Sequence, residues 1–303
     1  MRGLIASAAA ATSIGFVLAV PAAADPVPFF FSTGTPDGKI ATASRPSTGA
    51  PFEIESADDF ILSNETRITS ATFTGLLPSG APLSSVNQVV VEIYRVFPND
   101  SNTARTSFPT PPFSTNQVPA RMNSPSDFAL DSRDSAEHTL SFSATIQNAT
   151  FTAANSVVNG INPIPGVKTG GEGQVTGEEV QFTVNFTSPF DLPADHYFFV
   201  PQVGLDSGNF LWLSAANPIV GGTGPFTPDL QEWIRNGNLE PDWLRVATDI
   251  VGVAPPVFNA TFSLTGVTVL EPTSLSLLGA ALFGIGVLGR RSRRNRTSTP
   301  TLT

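Results

Sequence analysis

Two histidines and no cysteine set the outer limits of the catalytic chemistry open to this 303-residue chain. His138 follows Glu137, and His196 follows Asp195. A histidine between a carboxylate and a hydroxyl can activate a nucleophile. Serine and aspartate are so frequent here that chance supplies such partners, and no Gly-x-Ser-x-Gly turn is present to expose a nucleophilic serine. Both histidines therefore read as ordinary strand-edge residues. The absence of cysteine excludes disulfides, thiolate catalysis and cysteine-ligated metals.

Four further patterns carry some chemical meaning. Gly170 to Gly177 could cradle a phosphate, but it lacks a Gly-Lys-Ser/Thr ending and the Gly-x-Gly-x-x-Gly spacing, so it reads as a mobile loop. Asp131-Ser132-Arg133-Asp134 and Pro98-Asn99-Asp100-Ser101-Asn102 offer the hard oxygens calcium takes. Neither matches an EF-hand loop, and solvated turns are the simpler reading. Asp58-Asp59 would point to opposite faces of a strand and could not jointly grip one ion. Paired carboxylates could also serve a glycosidase, but the sequence places no pair at the distance a sugar cleft requires.

Aromatic rings offer a route to sugars by stacking. Trp212 lies inside the apolar run Phe210 to Leu213 and reads as core. Trp233 and Trp243 fall in the irregular stretch 229–249 and are the better candidates for a glycan contact, with burial beneath a loop as the favoured reading. Asn-x-Ser/Thr sequons at Asn64, Asn99, Asn148, Asn185 and Asn259 read as coincidence in a Ser/Thr-rich chain.

The elements that would position these residues read as β structure. The segments 66–77, 86–97, 139–152, 197–203, 210–213 and 257–264 are rich in β-branched and aromatic residues. Val180, Phe182, Val184 and Phe186 alternate with Gln181, Thr183 and Asn185, the pattern of a half-buried strand. Twenty-seven prolines and 25 glycines punctuate the runs as turns. Helical periodicity is confined to the termini, apart from one turn expected at 229–236. The segments 25–49, 98–134 and 161–177 read as loops or linkers. The expected fold is all-β: an antiparallel β-sandwich, Ig-like or jelly-roll, over residues 25–269.

Charge separates the chain into three parts. Between Asp25 and Glu271 lie all 25 acidic residues and ten of the basic ones, a net of −15. Such a body lacks the basic face that nucleic acid needs and would be repelled by anionic membranes. The N-terminus has the make-up of a secretory signal peptide: Arg2, an apolar and small-residue run from Leu4 to Val20, and Ala22-Ala23-Ala24 before Asp25. Signal peptidase cleavage is expected after Ala24. A plain N-terminal anchor is the alternative.

The C-terminus carries three ordered elements: Glu271-Pro272, the uncharged Leu/Gly/Ala-rich stretch Leu275 to Gly289, and the cluster Arg290, Arg291, Arg293, Arg294. From Pro272 to Gly289 a helix would be roughly 27 Å long, close to the hydrocarbon thickness of about 30 Å. The arginines would stay cytoplasmic, which predicts an N-outside, C-inside transmembrane helix. A buried core helix is the alternative, and it leaves the arginines unexplained. This arrangement resembles the PEP-CTERM sorting domain of exported bacterial proteins. The resemblance implies recognition by an exosortase in the inner membrane, cleavage near Glu271-Pro272, and release or attachment at the cell surface, in association with exopolysaccharide. The body is also similar to β-sandwich domains of that group, through Ser56 to Leu62 with Ile68 to Gly75, and through Phe190 to Phe199. It adds no catalytic residue.

The sequence thus leads to an exported, non-enzymatic surface or matrix protein with no cofactor. A carbohydrate-binding module or lectin, with calcium as the candidate aid in gripping a glycan, is the alternative, and an extracellular hydrolase ranks third.

Overall fold

The computed structural model describes residues 26–47, 52–104, 118, 121–162, 167–216, 230–252 and 258–269. The signal-peptide and sorting residues Ala24, Asp25, Glu271, Pro272, Arg290, Arg291, Arg293 and Arg294 lie outside this set. Among the described residues no helix is long and apolar enough to cross a membrane.

Two sheets face one another across the largest of three apolar clusters, all within the unit Pro26–Val269. The nine-stranded sheet holds β1 (Val27–Ser32), β2 (Pro36–Ala43), β4 (Thr66–Pro78), β7 (Leu140–Ala153), β8 (Asn155–Val157), β9 (Val175–Leu192), β11 (Leu211–Ala215), β14 (Asn259–Ala260) and β15 (Phe262–Thr268). The six-stranded sheet runs β13 (Leu244–Arg245), β12 (Trp233–Asn236), β3 (Ile54–Leu62), β10 (Asp195–Leu205), β5 (Val86–Arg95), β6 (Asp131–Asp134). Every pairing is antiparallel except β2 with β8.

Alternation along each strand builds the core. One rung of the larger sheet runs Phe31–Leu264–Ala71–Val184–Phe142 across β1, β15, β4, β9 and β7 and turns inward. Phe60, Tyr197, Phe199 and Val91 face it from β3, β10 and β5. Phe73 stacks on Phe182 at 5.1 Å, and Phe199 stacks on Phe262 at 5.0 Å. Aromatic pairs at such distances add to the hydrophobic term. Trp212 is core as expected, its indole N–H donating to the carbonyl of Thr261 at 2.8 Å.

A loop expectation and a helical one are corrected, and a stretch expected to be loose is irregular but docked. The segment 25–49 contains β1 and β2, ordered by pairing with β15 and with β11 and β8 rather than by their own composition. The turn of helix expected at 229–236 is instead β12, an antiparallel strand between β3 and β13. The one helical turn in that region is π-type, at Val246–Val251. The glycine-rich stretch is docked: the Glu172 carboxylate accepts the backbone N–H groups of Val158, Asn159 and Gly160, and Gly173 N–H donates to Asn155 Oδ1. Gly171 has φ +83°, and a Cβ there would sit 2.5 Å from Asn155 Oδ1, so glycine is required.

Candidate functional site

The densest constellation of ionisable groups lies on the outer face of the six-stranded sheet. On β3 the inward side chains include Asp58, Phe60 and Leu62, so Glu55, Ala57 and Asp59 point outward. Glu92 and Tyr94 point the same way from β5, and Arg235 on β12 lies directly opposite Glu55. The Arg235 Nε donates to Glu55 Oε2, and Nη2 donates to the Tyr94 hydroxyl at 2.8 Å. That hydroxyl lies 2.8 Å from Glu55 Oε1 and 2.9 Å from Glu92 Oε2. Nη1 of Arg235 reaches the carbonyls of Asp127 and Pro241, and the Trp243 ring lies 4.3 Å from the guanidinium.

The hydrogen count limits how this cluster can be bonded. Tyr94 has one proton and already accepts from Arg235, so it can donate to only one of its two carboxyl neighbours. The other oxygen makes a hydrogen bond only if its own carboxyl is protonated. Burial pushes Glu92 up to about 9, and the charge and hydrogen bond of Glu55 push the same way. Burial, followed by the Glu55 charge, pushes Glu53 up to about 7. Burial likewise holds the Tyr94 phenol well above its ordinary range. For Arg235 burial opposes the charge, but Glu55 and Tyr94 outweigh it and raise the pKa further. Arg235 thus pairs with Glu55, and burial favours the protonated form of Glu92.

This arrangement is unsuited to sugar hydrolysis. A retaining glycosidase holds its carboxyls about 5 Å apart, and an inverting one holds them further still. The Glu55 and Glu92 carboxyls both reach the one Tyr94 hydroxyl, at 2.8 and 2.9 Å, so the space between them is filled and leaves no gap for a glycosidic bond. Glu55 and Arg235 are each 3% exposed. The cluster ties β3, β5 and β12 to the segments carrying Asp127 and Pro241.

Two other interior constellations follow the same pattern. His196 sits at the start of β10, as expected of a strand edge, and is buried: its Nε2 lies 2.7 Å from Asp59 Oδ2, and Asp59 Oδ1 accepts the N–H of Leu230 at 2.9 Å. His138 sits in the exposed turn before β7 with φ 59°, and its carbonyl accepts the Thr187 hydroxyl. On the other sheet the Thr42 hydroxyl donates to Glu232, and Ser214 donates to Asp37 Oδ1 at 2.6 Å. Burial pushes Glu232 up to about 8, and the nearby Asp37 charge adds to this.

The remaining sequence candidates are dispersed. Trp233 and Trp243 are 1% and 2% exposed, so neither offers a ring face to a sugar; the glycan-contact candidates are corrected, and both rings are buried as the favoured reading had it. Trp233 is held within β12, and the Trp243 indole N–H donates to the Ser126 carbonyl at 3.1 Å. Asp58 faces inward and accepts the Ala260 N–H, while Asp59 faces outward, as the alternation requires. Asp131 pairs with Arg133, Asp134 accepts from Gln88, and Asp100 forms a two-pronged pair with Arg95. Among the described residues no group of three or more His, Asp or Glu is placed to hold a metal ion.

Sequence reasoning missed Glu55, Glu92, Tyr94 and Arg235. The available signal was a carboxylate inside an apolar central strand, Val89-Val90-Val91-Glu92-Ile93-Tyr94, which implies a buried partner. No family model, no curated protein and no solved structure matches this chain.

Proposed function

We propose that this chain is an exported, non-enzymatic β-sandwich protein of the cell surface or exopolysaccharide matrix. In this reading a signal peptide ahead of Asp25 is removed by signal peptidase. The segment Leu275 to Gly289 spans the inner membrane until an exosortase acts near Glu271-Pro272. The body is a sandwich of the Ig-like or jelly-roll kind and needs no cofactor. The observation that carries the reading is the ordered tail of Glu-Pro pair, uncharged span and arginine cluster behind an acidic, cysteine-free body. The interior chemistry supports it. The Glu55, Asp59 and Glu232 carboxyls are each bound by a neighbouring side chain or backbone group in the packing of strands.

Intact-mass analysis of the protein recovered outside the cell tests the proposal. The expected species begins at Asp25 and ends near Glu271. A chain kept whole through Thr303 in the membrane fraction would refute sorting and make the tail a plain anchor.

A further inference from the structure

The outer face of the larger sheet differs from the rest of this acidic body. Five adjacent strands, β1, β15, β4, β9 and β7, carry only four charged residues, Arg67, Glu178, Glu179 and Asp191, all toward strand ends. Between those ends the outward side chains align in rungs. One runs Ser32–Ser263–Thr72–Thr183–Ser143. The next runs Phe30–Thr265–Ser70–Asn185–Ser141. All ten are exposed or half-buried, and Phe30 at the edge is 70% exposed. Beside it a groove of about 260 Å³ is lined by Phe30, Ser32, Thr72, Gln181 and Ser263 among others.

We propose that this face binds a neutral polysaccharide chain laid across the strands, with Phe30 stacking on one sugar. The inference rests on the matrix role proposed above and names its partner. Strands about 4.8 Å apart present a hydroxyl or amide at each step over roughly 19 Å, a spacing close to that of successive pyranose rings in an extended glycan. Hydroxyls and amides both donate and accept, which suits sugar hydroxyls and gives a polyanion no cation to pair with. The sequence-wide acidity disfavours an anionic chain further. A protein partner fits less well, because interface centres are apolar and aromatic-rich, whereas Phe30 is the single ring in these two rungs.

Affinity electrophoresis of the full chain in non-ionic detergent tests this, with hydroxyethyl cellulose, laminarin and galactomannan as neutral polymers and alginate as the anionic one. Retardation is expected with at least one neutral polymer and not with alginate. Phe30→Ala should weaken that binding about fivefold, and Thr183→Glu should abolish it, both with unchanged melting temperature. Retardation by alginate alone, by no polymer, or equally in both variants overturns the proposal. So does self-association that Phe30→Ala dissolves while no polymer is bound, which would make the face an interface between copies. Cell fractionation keeps the two proposals separate. A matrix-located protein that ignores every neutral polymer overturns this inference alone, and a binder retained whole in the membrane overturns only the sorting.

Discussion

Replacing Glu92 by glutamine should make the protein more stable at alkaline pH, and the size of the gain follows from the cluster around Tyr94. Glu92 has an ordinary pKa of 4.5 and is pushed up to about 9, chiefly by burial and then by Glu55. Below the ordinary value both folded and unfolded chains hold the proton, and nothing is lost. Above it the unfolded chain releases the proton while the folded chain keeps it, so stability falls with rising pH until the folded group ionises near 9. One proton changes stability by at most about 1.4 kcal/mol per pH unit, which over this window sets a ceiling on the order of 6 kcal/mol. Because Glu92 titrates within a cluster of interacting charges and is only half-buried, about half of that, roughly 3 kcal/mol, is the working figure. Glutamine stays neutral and can still hydrogen-bond the Tyr94 hydroxyl, so Glu92→Gln should erase this loss. Urea unfolding at pH 5, 7 and 9 reads it directly. The wild type should lose stability between pH 5 and 9, and the variant should be the more stable of the two at pH 9. Glu53, pushed to about 7, titrates in the same direction at lower pH and leaves a residual slope in the variant. Parallel pH profiles for the two proteins would refute the assignment of the proton to Glu92.

The same geometry yields two further expectations. Arg235→Met removes the cation bound to Glu55 and the donor to Tyr94 and the Asp127 carbonyl, so it should cost about 3–5 kcal/mol in thermal or urea unfolding, the penalty of an uncompensated buried charge. Trp243→Ala should destabilise by a similar 3–5 kcal/mol through the cavity it leaves, yet any glycan affinity measured well below the lowered melting temperature should be unchanged, since the ring is buried.

Much of the fold could be read from alternation, and the failures share one cause. Val180, Phe182, Val184 and Phe186 announce β9 because the strand is apolar on one face and wet on the other. The segment Val27 to Ala43 gives no such signal, because its Pro, Gly and Thr content suits loops. What makes it strand is a partner from the opposite end of the chain: β1 lies on β15, and the Thr33 hydroxyl donates to the carbonyl of Ala260. Likewise Trp233 to Asn236 gains its extended form from β3, which pairs with it residue by residue. Long-range pairing overrides local composition, and one sequence contains no measure of it.

The acidic residues explain why the site was less legible than the fold. A carboxylate in sequence reads as solvent-facing, and for most of the 25 acidic residues in this chain that is the economical assumption. Glu55, Glu92 and Glu232 depart from it: a guanidinium binds Glu55, and burial favours the protonated forms of Glu92 and Glu232 beside the hydroxyls of Tyr94 and Thr42. None of those partners is adjacent in sequence. The same blindness hid the neutral face. Ser32, Ser143, Thr183 and Ser263 look like scattered hydroxyls until registers across four strand pairings bring them into line with Thr72. A body that tucks some carboxylates into its packing and keeps five strands nearly free of charge has divided its surface by electrostatics. Introducing a single charge at Thr183 is therefore a sharper probe of that face than removing any one hydroxyl, because each hydroxyl has neighbours that replace it and the absence of charge has none.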